Sequence, residues 1–225
     1  PFTGGAISFN TGEGTHTSSG AIVLQTVNAG TTGVSGMLSF TSGTTSSGTS
    51  GSITMATGMS TNGKGGDMIL SIGSGTTYTG GDIILKGGES TYVSGGTGGS
   101  ISISTGYGST TSSGALIVST KDSGTKGVSG KLSFTSGTTS SGTSGSMTLA
   151  TGTSTNGKGG DMILSIGAGT MYTGGDIIMK GGESTYTTAG TGGAISVSGG
   201  YGSTTSSGAI IVQTLNAGTK GASGK

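Results

Sequence analysis

"GGDMILSIGSGTTYTGGDIILKGGEST" occupies Gly65 to Thr91, and "GGDMILSIGAGTMYTGGDIIMKGGEST" occupies Gly159 to Thr185. Within the first stretch the pattern Gly-Gly-Asp followed by three apolar residues is written twice, opening at Gly65 and again at Gly80, and the second stretch repeats it at Gly159 and Gly174. Recurrence at so short a period is the signature of a repeat architecture, and it decides how the rest of the chain is read.

Marking the glycine that opens each Gly-x-apolar-x-apolar phrase gives Gly5, Gly20, Gly36, Gly51, Gly66, Gly81, Gly99, Gly114, Gly130, Gly145, Gly160, Gly175, Gly193 and Gly208. The usual interval is the one from Gly51 to Gly66. It is one longer at Gly20–Gly36 and Gly114–Gly130, and three longer at Gly81–Gly99 and Gly175–Gly193. Six phrases make a superunit of 94 residues, and the two full copies, 20–113 and 114–207, are roughly three-quarters identical. Residues 5–19 form a partial unit and 208–225 the start of another. The expected organisation is one continuous array over 1–225, a window of a longer repeat.

Each phrase begins with alternation of period two. In "GSITMATG" (Gly51 to Gly58), Ile53 and Met55 share one face while Ser52, Thr54 and Ala56 share the other. The second half of a phrase, such as "MSTNGKG", is punctuated by glycine and suits tight corners. A single phrase is too short for a self-standing hairpin with its own core, whereas stacked coils pair each backbone with the coil above and below. The sequence therefore predicts an all-β fold, a right-handed parallel β-solenoid (β-helix) with coils of about 15 residues stacked about 4.8 Å apart. Fourteen such coils give a rod of roughly 65 to 70 Å. The glycine opening each phrase is expected to take a positive φ or to allow close contact at a corner too narrow for Cβ. Threonines at equal phase, such as Thr61, Thr76 and Thr91, are expected to form hydroxyl ladders. The extra residues of the two long phrases, Ser94 to Gly98 and Thr188 to Gly192, read as a loop at one corner.

Comparison of the two superunits assigns the faces. At the second and fourth positions after the glycine the exchanges stay apolar, as in Ile22/Leu116, Ile53/Met147 and Leu85/Met179. Elsewhere they change class, as in Met37/Lys131 and Val27/Lys121. A packed interior accepts volume-conserving apolar exchange but not charge, so Ile53, Met55, Met68, Leu70, Ile83, Leu85, Ile101 and Ile103 are expected to point inward. The third position is then outward, yet it carries Val23, Ile69, Ile84, Ile117, Ile163, Ile178 and Ile211 among small hydroxyl residues. These aliphatics read either as scattered surface hydrophobicity or as a lateral contact stripe for a neighbouring rod or partner.

Composition excludes several classes. The chain has 54 Gly, 8% charged residues, a net charge of +1 and no arginine, so it offers neither a basic stripe for nucleic acid nor a polybasic patch for a membrane. Regular apolar triplets argue against a disordered linker, and the single proline and absent three-residue glycine period argue against collagen. Without cysteine there are no disulfides or thiolate metal sites. No apolar run approaches the roughly 18 residues that span a bilayer.

Catalytic chemistry is not legible either. His16, the single histidine, has Thr110 and Thr204 at its equivalent positions and reads as a turn substitution. The serines have no base, and "GSGTTYTGG" lacks both the following helix and the Gly-Lys-Ser/Thr ending of a phosphate loop. Asp67 and Asp82, with Asp161 and Asp176 as their counterparts, are the one charged constellation. In a solenoid each pair stacks in one outward column. Calcium is one compensating partner; Lys64, Lys86, Lys158 and Lys180 offer ion pairs instead. The shortage of oxygen ligands favours the lysines. The reading is thus of a non-enzymatic chain with no cofactor.

The phrases "SGTTSSGTSGSITMATG", "GYGSTTSSGA" and "GKGGDMILSIGSG" resemble the Gly/Ser/Thr-rich repeats of predicted secreted or cell-surface proteins of diatoms and related stramenopile algae. The resemblance covers essentially the whole chain. It implies an extracellular setting and a structural or adhesive filament, and it brings no catalytic motif.

The leading functional expectation is accordingly a structural fibre, stalk or matrix filament that associates with itself end to end and laterally, with Ser and Thr open to glycans or O-linked sugars. The rival is a surface-binding solenoid that recognises ice, mineral or carbohydrate. Ranks of Thr would serve the first two, and Tyr78, Tyr92, Tyr107, Tyr172, Tyr186 and Tyr201 the third.

Overall fold

Glycine loses more conformational freedom on ordering than any other residue, and Ser and Thr hydroxyls offer the backbone local partners that compete with a ladder. A phrase with three or so apolar side chains must offset both costs before strands can pair. In the computed structural model, which describes residues 4–171, 173–219 and 221–224, that threshold is not reached. No helix and no strand is present among the described residues.

The β-solenoid expectation is therefore corrected, together with its right-handed coils and the rod length derived from them. A parallel ladder would join each phrase to the equivalent residues of the next. Here the backbone hydrogen bonds are few and local. Gly99 N donates to Gly88 O at 2.8 Å, Gly193 N to Gly182 O at 2.9 Å, Gly208 N to Gly200 O at 2.9 Å and Gly114 N to Gly106 O at 3.1 Å. Thr45 Oγ1 donates to Ser47 O at 2.8 Å, and Thr139 Oγ1 repeats the bond to Ser141 O, also at 2.8 Å. These are the short side-chain-to-backbone turns that take the place of a ladder.

The period survives in a different form. The chain divides into two units, Pro1–Leu116 and Ile117–Lys225, with the division just inside the phrase that Gly114 opens. In the first unit, bends at 15–17, 31–33, 46–48, 61–63, 76–78 and 109–111 and a turn at 93–95 recur once per phrase. In the second, bends at 125–127, 140–142, 155–157 and 203–205 and a turn at 187–189 do the same. The turns at 93–95 and 187–189 fall in the two long phrases and take in the first two residues of each extra segment, Ser94–Gly95 and Thr188–Ala189.

Across each bend the chain doubles back until the sixth residue after one phrase-opening glycine meets the glycine that opens the next phrase. Thr11 lies against Gly20, Thr26 against Gly36, Ser42 against Gly51, Thr57 against Gly66 and Ile72 against Gly81. The second superunit repeats the scheme with Thr120 against Gly130, Ser136 against Gly145, Thr151 against Gly160 and Ile166 against Gly175. Where the sixth residue is itself glycine, as at Gly87, Gly181 and Gly199, backbone meets backbone and the hydrogen bonds above close the contact. Thr26 Oγ1 and Thr214 Oγ1 add bonds of 3.0 Å to Gly36 O and Gly224 O.

These contacts leave little room for a side chain at Gly20, Gly36, Gly81, Gly99, Gly130, Gly175, Gly193 and Gly208, whereas a Cβ at Gly51, Gly66, Gly114, Gly145 or Gly160 would make ordinary van der Waals contact and one at Gly5 would meet nothing within 4 Å. A Cβ on Gly20 or Gly36 would lie 3.2 Å from the Cβ of Thr11 or Thr26. Positive φ is found elsewhere, at Gly33, Gly48, Gly95, Gly127 and Gly142 (φ from 97° to 141°), each the third residue of its bend or turn. Of the two roles expected for the opening glycines, positive φ is found at none of them, and close approach is found at the eight with little room for a side chain.

The expected inward set forms no core: none of the described residues is a buried hydrophobic. The chain exposes 22401 Å². A compact protein of its 21.1 kDa exposes about 9000 Å² and the unfolded chain about 31000 Å², so most of the apolar surface stays in water.

Candidate functional site

The apolar triplets are the feature that recurs most regularly, and their exposure keeps the alternation read from the sequence. Met68, Ile69 and Leu70 are 56%, 83% and 66% exposed. In the triplets centred on Val23, Ile84, Ile117, Ile163 and Ile178 the middle residue is likewise the most open. At Ile211 the order breaks, because Val212 is more exposed still. The residues proposed for lateral contact are therefore the outermost of their triplets in six cases of seven. Their flanking residues are nonetheless all at least 49% exposed.

Two consecutive phrases of the second unit carry a hydroxyl residue, Ser133 or Thr148, in place of the middle aliphatic. Ser133, Phe134 and Thr135 of one and Met147, Thr148 and Leu149 of the next line an open cleft of about 550 Å³. Phe134, Met147 and Leu149 occupy fourth, second and fourth positions, the expected core columns. All three line the cleft and remain more than half exposed. Its chemistry is aliphatic, aromatic and hydroxylic, with no acid, base or cation in the lining.

The charged constellation resolves into local pairs. Lys64 Nζ reaches both carboxylate oxygens of Asp67, at 2.7 and 2.8 Å, and Lys158 Nζ reaches both oxygens of Asp161 at 2.7 Å. Lys180 is paired with Glu183 rather than with Asp176. Among the described residues no ion pair joins Lys86 to Asp82, and no group of three or more His, Cys, Asp and Glu side chains is close enough to hold a metal. The shared Asp67/Asp82 column required stacked coils, and the same holds for the Thr61, Thr76 and Thr91 ladder. Thr61 and Thr76 instead begin the bends at 61–63 and 76–78.

The remaining candidates are surface residues. His16 is exposed in the bend at 15–17. Tyr78, Tyr92, Tyr107, Tyr186 and Tyr201 all lie in or within two residues of a bend or turn and are strongly exposed, while Tyr172 lies outside the described residues. No helix is long and apolar enough to cross a membrane among the described residues.

Sequence reasoning missed Ile72 and Ile166. They are the least exposed of the large apolar side chains, at 45% and 44%, because each lies against an opening glycine, Gly81 or Gly175. The signal was present: they are the bulky apolar residues at a sixth position otherwise held by Thr, Ser or Gly. Period-two alternation gives that position no special weight.

No family model, curated protein or solved structure matches the chain. The resemblance to algal surface repeats rests on the quoted phrases alone.

Proposed function

We propose that the chain is a structural, non-catalytic repeat protein of an extracellular fibre, stalk or matrix, and that it works by associating with copies of itself. What supports the reading is one observation: among the described residues the least exposed large apolar side chain is still 44% open to water. Apolar surface left in water is a driving force for association, of roughly 25 cal/mol for each Å² covered. The triplets recur once or more per superunit at fixed phase, so a second copy presents the same pattern and covers it in register. Patches of this kind on a soluble chain mark contact surfaces. Between them the exposed Ser and Thr keep the assembly hydrated and open to glycans.

The test replaces Ile69, Ile84, Ile163 and Ile178 by Thr and follows both chains by sedimentation and negative-stain imaging. The expected result is concentration-dependent assembly of the unaltered chain and its loss in the variant. A chain that stays monomeric at every concentration, or a variant that assembles equally well, overturns the proposal.

A further inference from the structure

The chain has five asparagines, and two of them, Asn62 and Asn156, are followed by glycine. They sit at equivalent places in the two superunits, each at the centre of an exposed bend, 61–63 and 155–157. A side chain in place of the glycine would crowd a serine hydroxyl. Ser60 Oγ lies 3.2 Å from the point that a Cβ on residue 63 would occupy, and Ser154 Oγ stands at the same 3.2 Å from that point on residue 157. The residue that follows each Asn is thus the one whose backbone nitrogen no side chain shields.

Neither partner in the potential reaction is engaged. Among the described residues the Asn62 and Asn156 side chains make no hydrogen bond, and the Gly63 and Gly157 N–H groups donate none. Asn10 differs: its Nδ2 donates to Ser8 Oγ at 3.0 Å, and Thr11 follows it. Asn28 and Asn216 are each followed by alanine.

We infer that Asn62 and Asn156 are sites of spontaneous deamidation through a cyclic imide. The Gly63 nitrogen, its proton taken up by solvent base, attacks Cγ of Asn62. The new N–Cγ bond closes a five-membered ring, the Cγ–Nδ2 bond breaks, and ammonia leaves with the returned proton. Water then opens the ring at either carbonyl, giving aspartate or isoaspartate. The net change is one water consumed and one ammonia released, with no oxidant or reductant.

The product alters its own phrase. A carboxylate at 62 stands two residues from Lys64, which already holds both oxygens of Asp67, so two acids compete for one cation. Reaction at both sites takes the formal net charge from +1 to one negative charge. The isoaspartyl form routes the backbone through Cγ and lengthens the bend between Thr57 and Gly66, whose contact closes the phrase.

The full chain is incubated at mildly alkaline pH and body temperature, and peptide mapping follows all five asparagines, with enzymic methylation of isoaspartyl carboxylates as the probe. Asn62 and Asn156 are expected to convert at least about tenfold faster than Asn10, Asn28 and Asn216, a barrier lower by about 1.4 kcal/mol or more. Asn62→Gln abolishes isoaspartate at that site and leaves conversion at Asn156 unchanged. Similar rates at all five positions, or no isoaspartate at 62 and 156, overturn the assignment.

Discussion

Ile72 and Gly81 meet at the neck of one phrase, where Cγ2 of Ile72 lies 2.8 Å from the point that a Cβ on residue 81 would occupy. Ile166 and Gly175 repeat the contact at 2.7 Å. Among the described residues no other phrase closes on so bulky a side chain, and at this separation an added methyl has nowhere to go unless the neck opens.

Gly81→Ala should therefore loosen its phrase, at a cost of about 1 to 3 kcal/mol for overpacking. Protease cutting within 73–80 is the readout, and it should rise. Ile72→Ala combined with Gly81→Ala removes the clash and should return cutting toward the unaltered rate. Gly58→Ala, at a position with nothing within 4 Å, is the control and should change little.

The ion pairs should matter little by comparison. Lys64 and Asp67 are 79% and 62% exposed, and a pair this open is screened and contributes less than about 1 kcal/mol. Asp67→Asn together with Asp161→Asn should leave assembly within measurement error of the unaltered chain at physiological salt. A marked loss of assembly in sedimentation would assign these pairs a role between chains.

Calcium should be equally without effect. The two aspartates that both superunits share, Asp67 and Asp82 in the first and Asp161 and Asp176 in the second, each face a lysine or stand alone and supply fewer oxygens than the six to eight the ion takes. Circular dichroism and sedimentation in chelator and in millimolar calcium should superimpose. A calcium-dependent gain of ordered structure would require oxygen donors brought together from several phrases.

Much of this organisation was legible in the sequence, and the part that was not has a physical explanation. The opening glycines from Gly20 onward mark real features, since the necks described above end on them. The apolar triplets also keep their alternation, with Ile69 and Ile178 more open than their neighbours. What a period cannot convey is which neighbour each phrase contacts. Equal environments once per phrase arise whether Gly66 pairs with a residue one coil away or with Thr57 across its own bend. The stacked solution needs enough apolar contact per coil to offset the entropy of ordering glycine. Phe134, Met147 and Leu149, which would have supplied it, line an open cleft instead.

Local closure of each phrase, in place of stacking of one phrase on the next, is most directly tested by nuclear Overhauser contacts in the isotopically labelled, unassembled chain. Closure predicts cross-peaks from the γ2-methyl of Ile72 to the α-protons of Gly81 and from Ile166 to Gly175, with shifts outside the strand range through both triplets. Cross-peaks joining Met68 to Ile83 and Leu70 to Leu85, with slowly exchanging amides in a regular ladder, would contradict it.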